Sequence, residues 1–172
     1  SSGEEPYSLA LLLHHHFREA LGGWYVRIIA TDVCQKTLDR ACEACFAPEV
    51  VQKSLPPDYQ RYFKPTAGGL QLETAVRQSV EFKQLNLTAS WGALPSADLI
   101  LMRNVLIYFD ERTKSDILSR ASRLLLPGGY LMLGSTETTL NLTSAFRCVS
   151  VQRSSFYQVQ SAAGGRRLRK AS

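Results

Sequence analysis

Three places in the chain set polar groups against apolar surroundings in ways that suit ligand chemistry. Asp32 directly follows Trp24 to Thr31, a run of β-branched and aromatic residues that reads as a largely buried strand. A carboxylate at such a strand end accepts hydrogen bonds from a ribose diol, although a turn or helix-capping role accounts for it equally well. Gly3-Glu4-Glu5-Pro6 stands where a glycine-containing loop enters a helix. The helix dipole keeps carboxylates charged there, so Glu4 and Glu5 either hold a cationic ammonium or only compensate the dipole. The third place is the most specific: the apolar run Asp98 to Met102 stops at Arg103-Asn104, and the apolar group after it carries Tyr108 before Asp110. Polar groups at a buried strand end serve a ligand more often than the fold, the competing reading being an ion pair from Arg103 to Asp98 or Asp110. Neither a P-loop nor a complete G-x-G-x-x-G is present, which disfavours kinase-like and hydride-transfer chemistry.

The elements that position these residues follow from pattern. Pro6 is an early helical residue, and Leu9, Leu12, Leu13, Phe17, Ala20 and Leu21 recur at the spacing of one helix face that ends at Gly22-Gly23. A short helix is expected from about Thr37 to Phe46. From Ala47 to Arg77 four prolines and two glycines break the pattern, which predicts an insertion with a helical turn and a small hairpin. Strands are expected over Val80 to Leu85, Ala97 to Met102 and Tyr130 to Gly134, with an amphipathic helix from about Glu111 to Leu126 between the last two. Phe146 to Val151 and Phe156 to Gln160 read as an antiparallel hairpin across Gln152 to Ser155. Strands separated by helices imply an α/β fold with a mostly parallel sheet and a ligand crevice at the carboxyl ends of the strands.

Composition narrows the function further. The 172 residues fit one domain, and 45% hydrophobic against 20% charged residues describes a chain with a real core. No apolar run approaches the roughly 18 residues of a membrane span, so no membrane insertion is expected. Of the net charge of +5, Arg166, Arg167, Arg169 and Lys170 supply four in the last seven positions. The body is nearly neutral, which argues against nucleic acid as a partner, and residues 161–172 read as a flexible basic tail. Four cysteines and no amino-terminal signal segment point to the cytoplasm. Cys42 and Cys45 form a single C-x-x-C with no second pair, and consecutive His14, His15 and His16 diverge by about 100° on a helix, so no metal site is expected.

Six segments together resemble the catalytic domain of the CheR-type chemotaxis receptor methyltransferases. They are Ser-Ser-Gly-Glu-Glu-Pro-Tyr-Ser (1 to 8), Ile-Ile-Ala-Thr-Asp (28 to 32), Gln60-Arg61-Tyr62-Phe63, Val80-Glu81-Phe82 with Asn86-Leu87, Arg-Asn-Val-Leu-Ile-Tyr-Phe-Asp (103 to 110), and Leu-Pro-Gly-Gly-Tyr-Leu-Met-Leu-Gly (126 to 134). They occur in order from residue 1 to about 157. The resemblance implies a Rossmann-like class I S-adenosylmethionine-dependent methyltransferase fold over 1–160, with a small inserted β-subdomain at about 47–77. It implies a protein-glutamate O-methyltransferase acting on the cytoplasmic helices of methyl-accepting chemoreceptors, with S-adenosylhomocysteine as product. By motif position, Gly3, Glu4 and Glu5 would receive the methionine end, with Glu5 on its amino group, and Asp32 would take the ribose hydroxyls. Asn86 and Leu87 would frame the adenine, while Arg103, Asn104 and Tyr108 would line the methyl-transfer end, with Arg103 and Tyr108 as the catalytic pair.

Such chemistry asks little of side chains. A carboxylate attacking a sulfonium-activated methyl group is a neutralisation of charge, so positioning and exclusion of water dominate and no general base is needed. A cofactor-binding or protein-interaction module with little activity, and a methyltransferase for another protein or RNA, are the alternative readings. Family members that bind a receptor's carboxyl-terminal pentapeptide share an extra glycine-containing loop in the insertion. Here that region offers only Gly68-Gly69, so pentapeptide tethering is not expected. The segment Ala44 to Phe46 departs from the family's Ala-x-x-Gly-x-Tyr, and Ser135-Thr136-Glu137 departs from its usual Ser-Glu. The chain begins inside the turn that follows the family's first strand. That strand is therefore expected to be missing from between the Trp24 and Ala97 strands, and the chain alone is expected to bind cofactor poorly and to aggregate.

Overall fold

The computed structural model describes residues 3–17, 19, 22–92, 94–152 and 154–160. The basic tail and the Ala20 and Leu21 helix positions lie outside the described residues. The chain divides into two compact units, Ser1–Asn86 and Leu87–Ser172.

In the first unit, α1 (Glu4–His16) is followed by β1 (Ile28–Asp32), α2 (Gln35–Glu43), β2 (Cys45–Phe46), α3 (Pro48–Ser54), α4 (Pro57–Gln60), β3 (Phe63–Thr66), β4 (Gly69–Leu72), α5 (Thr74–Arg77) and β5 (Val80–Gln84). β1 and β5 pair in parallel, Ile28 opposite Val80 and Asp32 opposite Gln84. The strand does not begin at Trp24 as its composition suggests. Residues 78 and 79 before Val80 turn away, so nothing on β5 pairs with residues before Ile28, and Trp24 and Tyr25 are 75% and 91% exposed. The apolar face of α1 is also rotated from the expected one: Tyr7, Ala10 and Leu11 are buried, whereas Leu12 and Phe17 are exposed. An unbroken Leu9 to Leu13 run fits several faces, and Tyr7 settles the choice by anchoring in the core.

The insertion folds as the antiparallel sheet β2-β4-β3. It shares the core of the unit: Leu72 and Val76 are buried with Tyr7, Leu11, Ile28 and Val80, and Phe46, Tyr59 and Phe63 pack against them. α2 stops at Glu43 because Ala44 adopts a left-handed φ of 50°. Cys45 and Phe46, expected in the helix, thereby join the sheet. The histidines hold the end of α1 to the α4 turn, with His15 stacked on Tyr59 at 4.5 Å and His16 Nε2 within 2.8 Å of the Tyr59 hydroxyl.

Tyr7 is 2% exposed and its hydroxyl donates to the Ala41 carbonyl at 3.0 Å. Burial pushes its phenol up to about 12. A folded-state value above the ordinary one near 10 means that the full contribution is present below pH 10 and is lost as pH rises towards 12, up to about 2 kcal/mol. Thermal unfolding of the wild type should therefore drop steeply across that window. Tyr7→Phe should cost about 1 kcal/mol at neutral pH and show a shallower alkaline fall. Parallel alkaline profiles for the two proteins would contradict the assignment.

In the second unit, β6 (Ala97–Met102) leads through a 3₁₀ turn at Leu106–Tyr108 to α6 (Glu111–Leu124), β7 (Leu125–Leu133), β8 (Phe146–Val151) and β9 (Ser154–Val159), in the sheet order β6-β7-β9-β8. The β6–β7 pair joined by a helix is parallel, and the terminal hairpin is antiparallel. Asp110 caps α6 by accepting from the Thr113 N–H at 2.8 Å, which holds its carboxyl below the usual range. The helix turns Ile117, Leu118 and Ala121 inward, all at 0% exposure. β7 starts earlier than expected, taking in Pro127-Gly128-Gly129, because Leu125 already pairs with Ala97 before the register shifts. The closing hairpin turns after Val151 rather than over four residues, with Gln152 at a φ of 53° and β9 beginning at Ser154. Among the described residues β1 has one strand neighbour, β5, and β6 has one, β7. No helix among them is long and apolar enough to cross a membrane.

Candidate functional site

In the first unit the glycine at the start of α1 is fixed by its surroundings. Gly3 is the N-cap with a φ of 91°, and a Cβ there would meet the Tyr7 ring at 3.0 Å and the Ala41 Cβ at 3.2 Å. Any other residue is both strained and crowded. No side chain caps α1, so its first-turn N–H groups and the carboxylates of Glu4 and Glu5 make up this end of the helix. Glu4 is exposed and Glu5 half-buried.

Asp32 ends β1 half-buried, and its Oδ1 accepts from the Cys34 N–H at 2.9 Å. It is thus a turn residue, which fixes the direction of the carboxylate. The Leu85 N–H donates to the Asp32 carbonyl at 2.9 Å, so the parallel pairing carries Asn86 to the same sheet end. Beside it Cys34 stands at the N-cap position of α2, where the nearby Thr37 hydroxyl and N–H hold its thiol below the ordinary range.

In the second unit the Leu87 carbonyl accepts from Trp91 Nε1 and from an Arg120 Nη1, each at 3.1 Å, and the same Nη1 donates to the Ala89 carbonyl. The backbone at Leu87 is therefore pinned next to a recess lined by Thr88, Trp91, Leu94 and Arg120.

β6 ends at Met102, and Arg103, Asn104 and Tyr108 follow within six residues. Arg103 and Asn104 are exposed, and Tyr108 is 78% exposed. Asn104 takes a left-handed φ of 57°. Of the two carboxylates weighed as partners for Arg103, Asp110 is the α6 cap. The residue that shapes this segment is Glu137, beyond the end of β7 and only 9% exposed. Its Oε2 accepts from the N–H groups of Asn104 at 2.7 Å and Gly134 at 2.8 Å. Its Oε1 accepts from Val105 at 3.0 Å and Leu106 at 2.7 Å. A Cβ on Gly134 would lie 2.7 Å from that Oε2 and 3.0 Å from the Asn104 nitrogen. Sequence reasoning noted Glu137 only as part of a divergent motif. The available signal was an acidic residue three positions after a glycine that closes a buried strand.

The site residues thus fall into three groups: Gly3, Glu4 and Glu5 at one helix start, Asp32 and Asn86 at one sheet end, and Arg103, Asn104 and Tyr108 on one segment held by Glu137.

Parallel pairs joined by helices and closed by an antiparallel hairpin define the class. The chain superposes on the N-methyltransferase NodS from Bradyrhizobium japonicum in complex with S-adenosyl-L-homocysteine, with a TM-score of 0.51 at 16% identity over 93% of this chain and 88% of that one. It also matches LepI in complex with SAM, with a TM-score of 0.52 at 12% identity over 92% of this chain and 41% of that one. The fold is that of the class I S-adenosylmethionine-dependent methyltransferases. Residues 1–155 match the family model "CheR methyltransferase, SAM binding domain", and the chain belongs to that family. Its relatives include chemotaxis protein methyltransferase 1 of Pseudomonas aeruginosa, 37% identical over 93% of this chain and 60% of the relative. The chemotaxis protein methyltransferase of Escherichia coli is 36% identical over 85% of this chain and 52% of its own length. The chain thus spans between half and two thirds of the length of these relatives.

Proposed function

We propose that the chain binds S-adenosylmethionine and takes part in methyl transfer to glutamate carboxylates on the cytoplasmic helices of chemoreceptors, in the cytoplasm. The observation that carries this reading is the conjunction of family membership with the three groups of site residues. The residues suit the cofactor. At Gly3 a Cβ would fill the turn into α1, Glu5 offers a carboxylate for an ammonium, and Asp32 offers one at a strand end for a diol.

When bound, the cofactor supplies a sulfonium-activated methyl group. Gly3 and Glu4 shape the turn that receives the methionine end, Glu5 pairs with its amino group, and Asp32 accepts from the ribose hydroxyls. Asn86 and Leu87 frame the adenine, Leu87 through a backbone that Trp91 and Arg120 hold in place. Arg103 and Tyr108 align the acceptor oxygen, with Asn104 beside them. No residue of the chain acts as a general base, because an acceptor glutamate is already ionised at neutral pH. The work of the protein is orientation and exclusion of water. Titration calorimetry with S-adenosylmethionine, followed by transfer to a receptor fragment and to RNA, tests the reading. Transfer to RNA alone, or binding without transfer to any acceptor, would refute it.

Substrate docking is direct on this reading. β3 and β4 are joined only by Ala67 and Gly68, a tight connection with no added loop. A receptor carboxyl-terminal pentapeptide is expected to show no saturable binding in calorimetry, and tight binding would contradict direct docking.

A further inference from the structure

We propose that Glu137 is a positioning residue for methyl transfer, acting through the backbone of Asn104 to Leu106 to aim Arg103 and Tyr108. The proposal rests on the reading of those two residues given above. A carboxylate accepts only, and Glu137 meets four N–H donors, two on each oxygen, at 2.7 to 3.0 Å. Three come from consecutive residues of the segment that leaves β6, and the fourth comes from Gly134 just past the end of β7. Glu137 therefore ties the ends of two adjacent parallel strands together. It also supplies the cap that the 3₁₀ turn at Leu106–Tyr108 otherwise lacks, since no side chain of that turn's own N-cap, Val105, provides one.

The geometry of the segment depends on this tie. Asn104 holds a left-handed backbone, φ 57°, a conformation that asparagine tolerates better than other residues with a Cβ. The Glu137 carboxylate fixes it there: the Asn104 N–H is bound to Oε2, and the following two N–H groups are bound to Oε1. Arg103 precedes the constrained residue, and Tyr108 ends the turn that the carboxylate caps. Tyr108 is 78% exposed, so its aim comes from the backbone beneath it rather than from packing around it. Gly134 completes the device, since a Cβ there would strike both Glu137 Oε2 and the Asn104 nitrogen.

Glu137→Gln is the discriminating change in the full chain. It conserves volume, but whichever way the amide turns, its nitrogen presents hydrogens to two of the four N–H groups. Amide hydrogen exchange at Asn104, Val105 and Leu106 is expected to accelerate by about tenfold or more. In the same variant kcat for methyl transfer is expected to fall by about tenfold to a hundredfold. The S-adenosylhomocysteine Kd should change far less, because Glu5 and Asp32 are untouched. Should the Gln variant not fold, Glu137→Asp keeps the charge one methylene short of the amides, and its kcat is expected to lie between those of the Gln-type loss and the wild type. A folded variant of either kind with wild-type kcat would overturn the positioning role, since a merely structural glutamate lowers Tm without lowering turnover. Exchange needs no acceptor and judges the tie separately: equal exchange in wild type and Gln variant overturns it. A wild type that transfers no methyl group yet shows slow exchange, released by Gln, instead overturns the functional reading on which the role rests.

Discussion

Replacing Asp32 with alanine is expected to weaken S-adenosylhomocysteine binding by about 1 to 3 kcal/mol, the loss of charged hydrogen bonds to a diol. The alanine also removes the acceptor of the Cys34 N–H, so part of any effect would come from the turn into α2. Asp32→Asn separates the two. Its side-chain oxygen still accepts from Cys34 while the charge is gone, so Tm should stay near that of the wild type and affinity should still fall. Calorimetry and thermal unfolding on both variants check this. Asn and Ala variants that are folded and bind like the wild type would remove Asp32 from the cofactor site and leave it as a turn residue.

Gly134→Ala should be more damaging than its size suggests. The added Cβ would meet Glu137 Oε2 at 2.7 Å and the Asn104 nitrogen at 3.0 Å. A flexible carboxylate would normally swing aside, but this one is bound by four N–H groups, and the second obstacle is backbone. Relief therefore requires giving up hydrogen bonds or moving the end of β6. The expected cost is about 2 to 3 kcal/mol, read as a lowered denaturation midpoint at unchanged m. Gly129→Ala is a useful companion, since its Cβ would meet the Leu126 and Asp98 carbonyl oxygens at 2.9 and 3.1 Å without touching Glu137. It should destabilise the protein and leave turnover per folded molecule intact, whereas Gly134→Ala should lower both.

The parts of the fold that showed in the sequence were those where one pattern had one solution. Ala97 to Met102 is mostly apolar and Phe146 to Val151 interleaves apolar with polar residues, each bounded by polar or turn residues, and both strands fall on those bounds. The amphipathic period beginning at about Glu111 placed the start of α6. The parts that stayed hidden depended on pairing. Trp24 to Val26 have strand composition, but a strand also needs a neighbour, and β5 begins only opposite Ile28. Cys45 and Phe46 continue a helical pattern until Ala44 takes a left-handed turn and the β4 strand captures them.

The candidate site divides in the same way. Asp32, Glu5 and the Arg103 strand end were legible as polar groups at element ends, and their chemistry could be argued from position. Asn86 and Leu87 had no local signal, and entered only through resemblance. Glu137 was out of reach because its meaning lies in four backbone groups, from two separate strand ends, that no side-chain pattern advertises.

The most direct test of the account is the chemical fate of the methyl group. The full chain, incubated with isotopically labelled S-adenosylmethionine and a chemoreceptor cytoplasmic fragment, should place label on glutamate side chains as base-labile methyl esters, located by peptide mass spectrometry. Arg103→Ala should reduce that label while the protein remains folded. Label absent from glutamate, or found only in base-stable linkage, would contradict glutamate O-methylation.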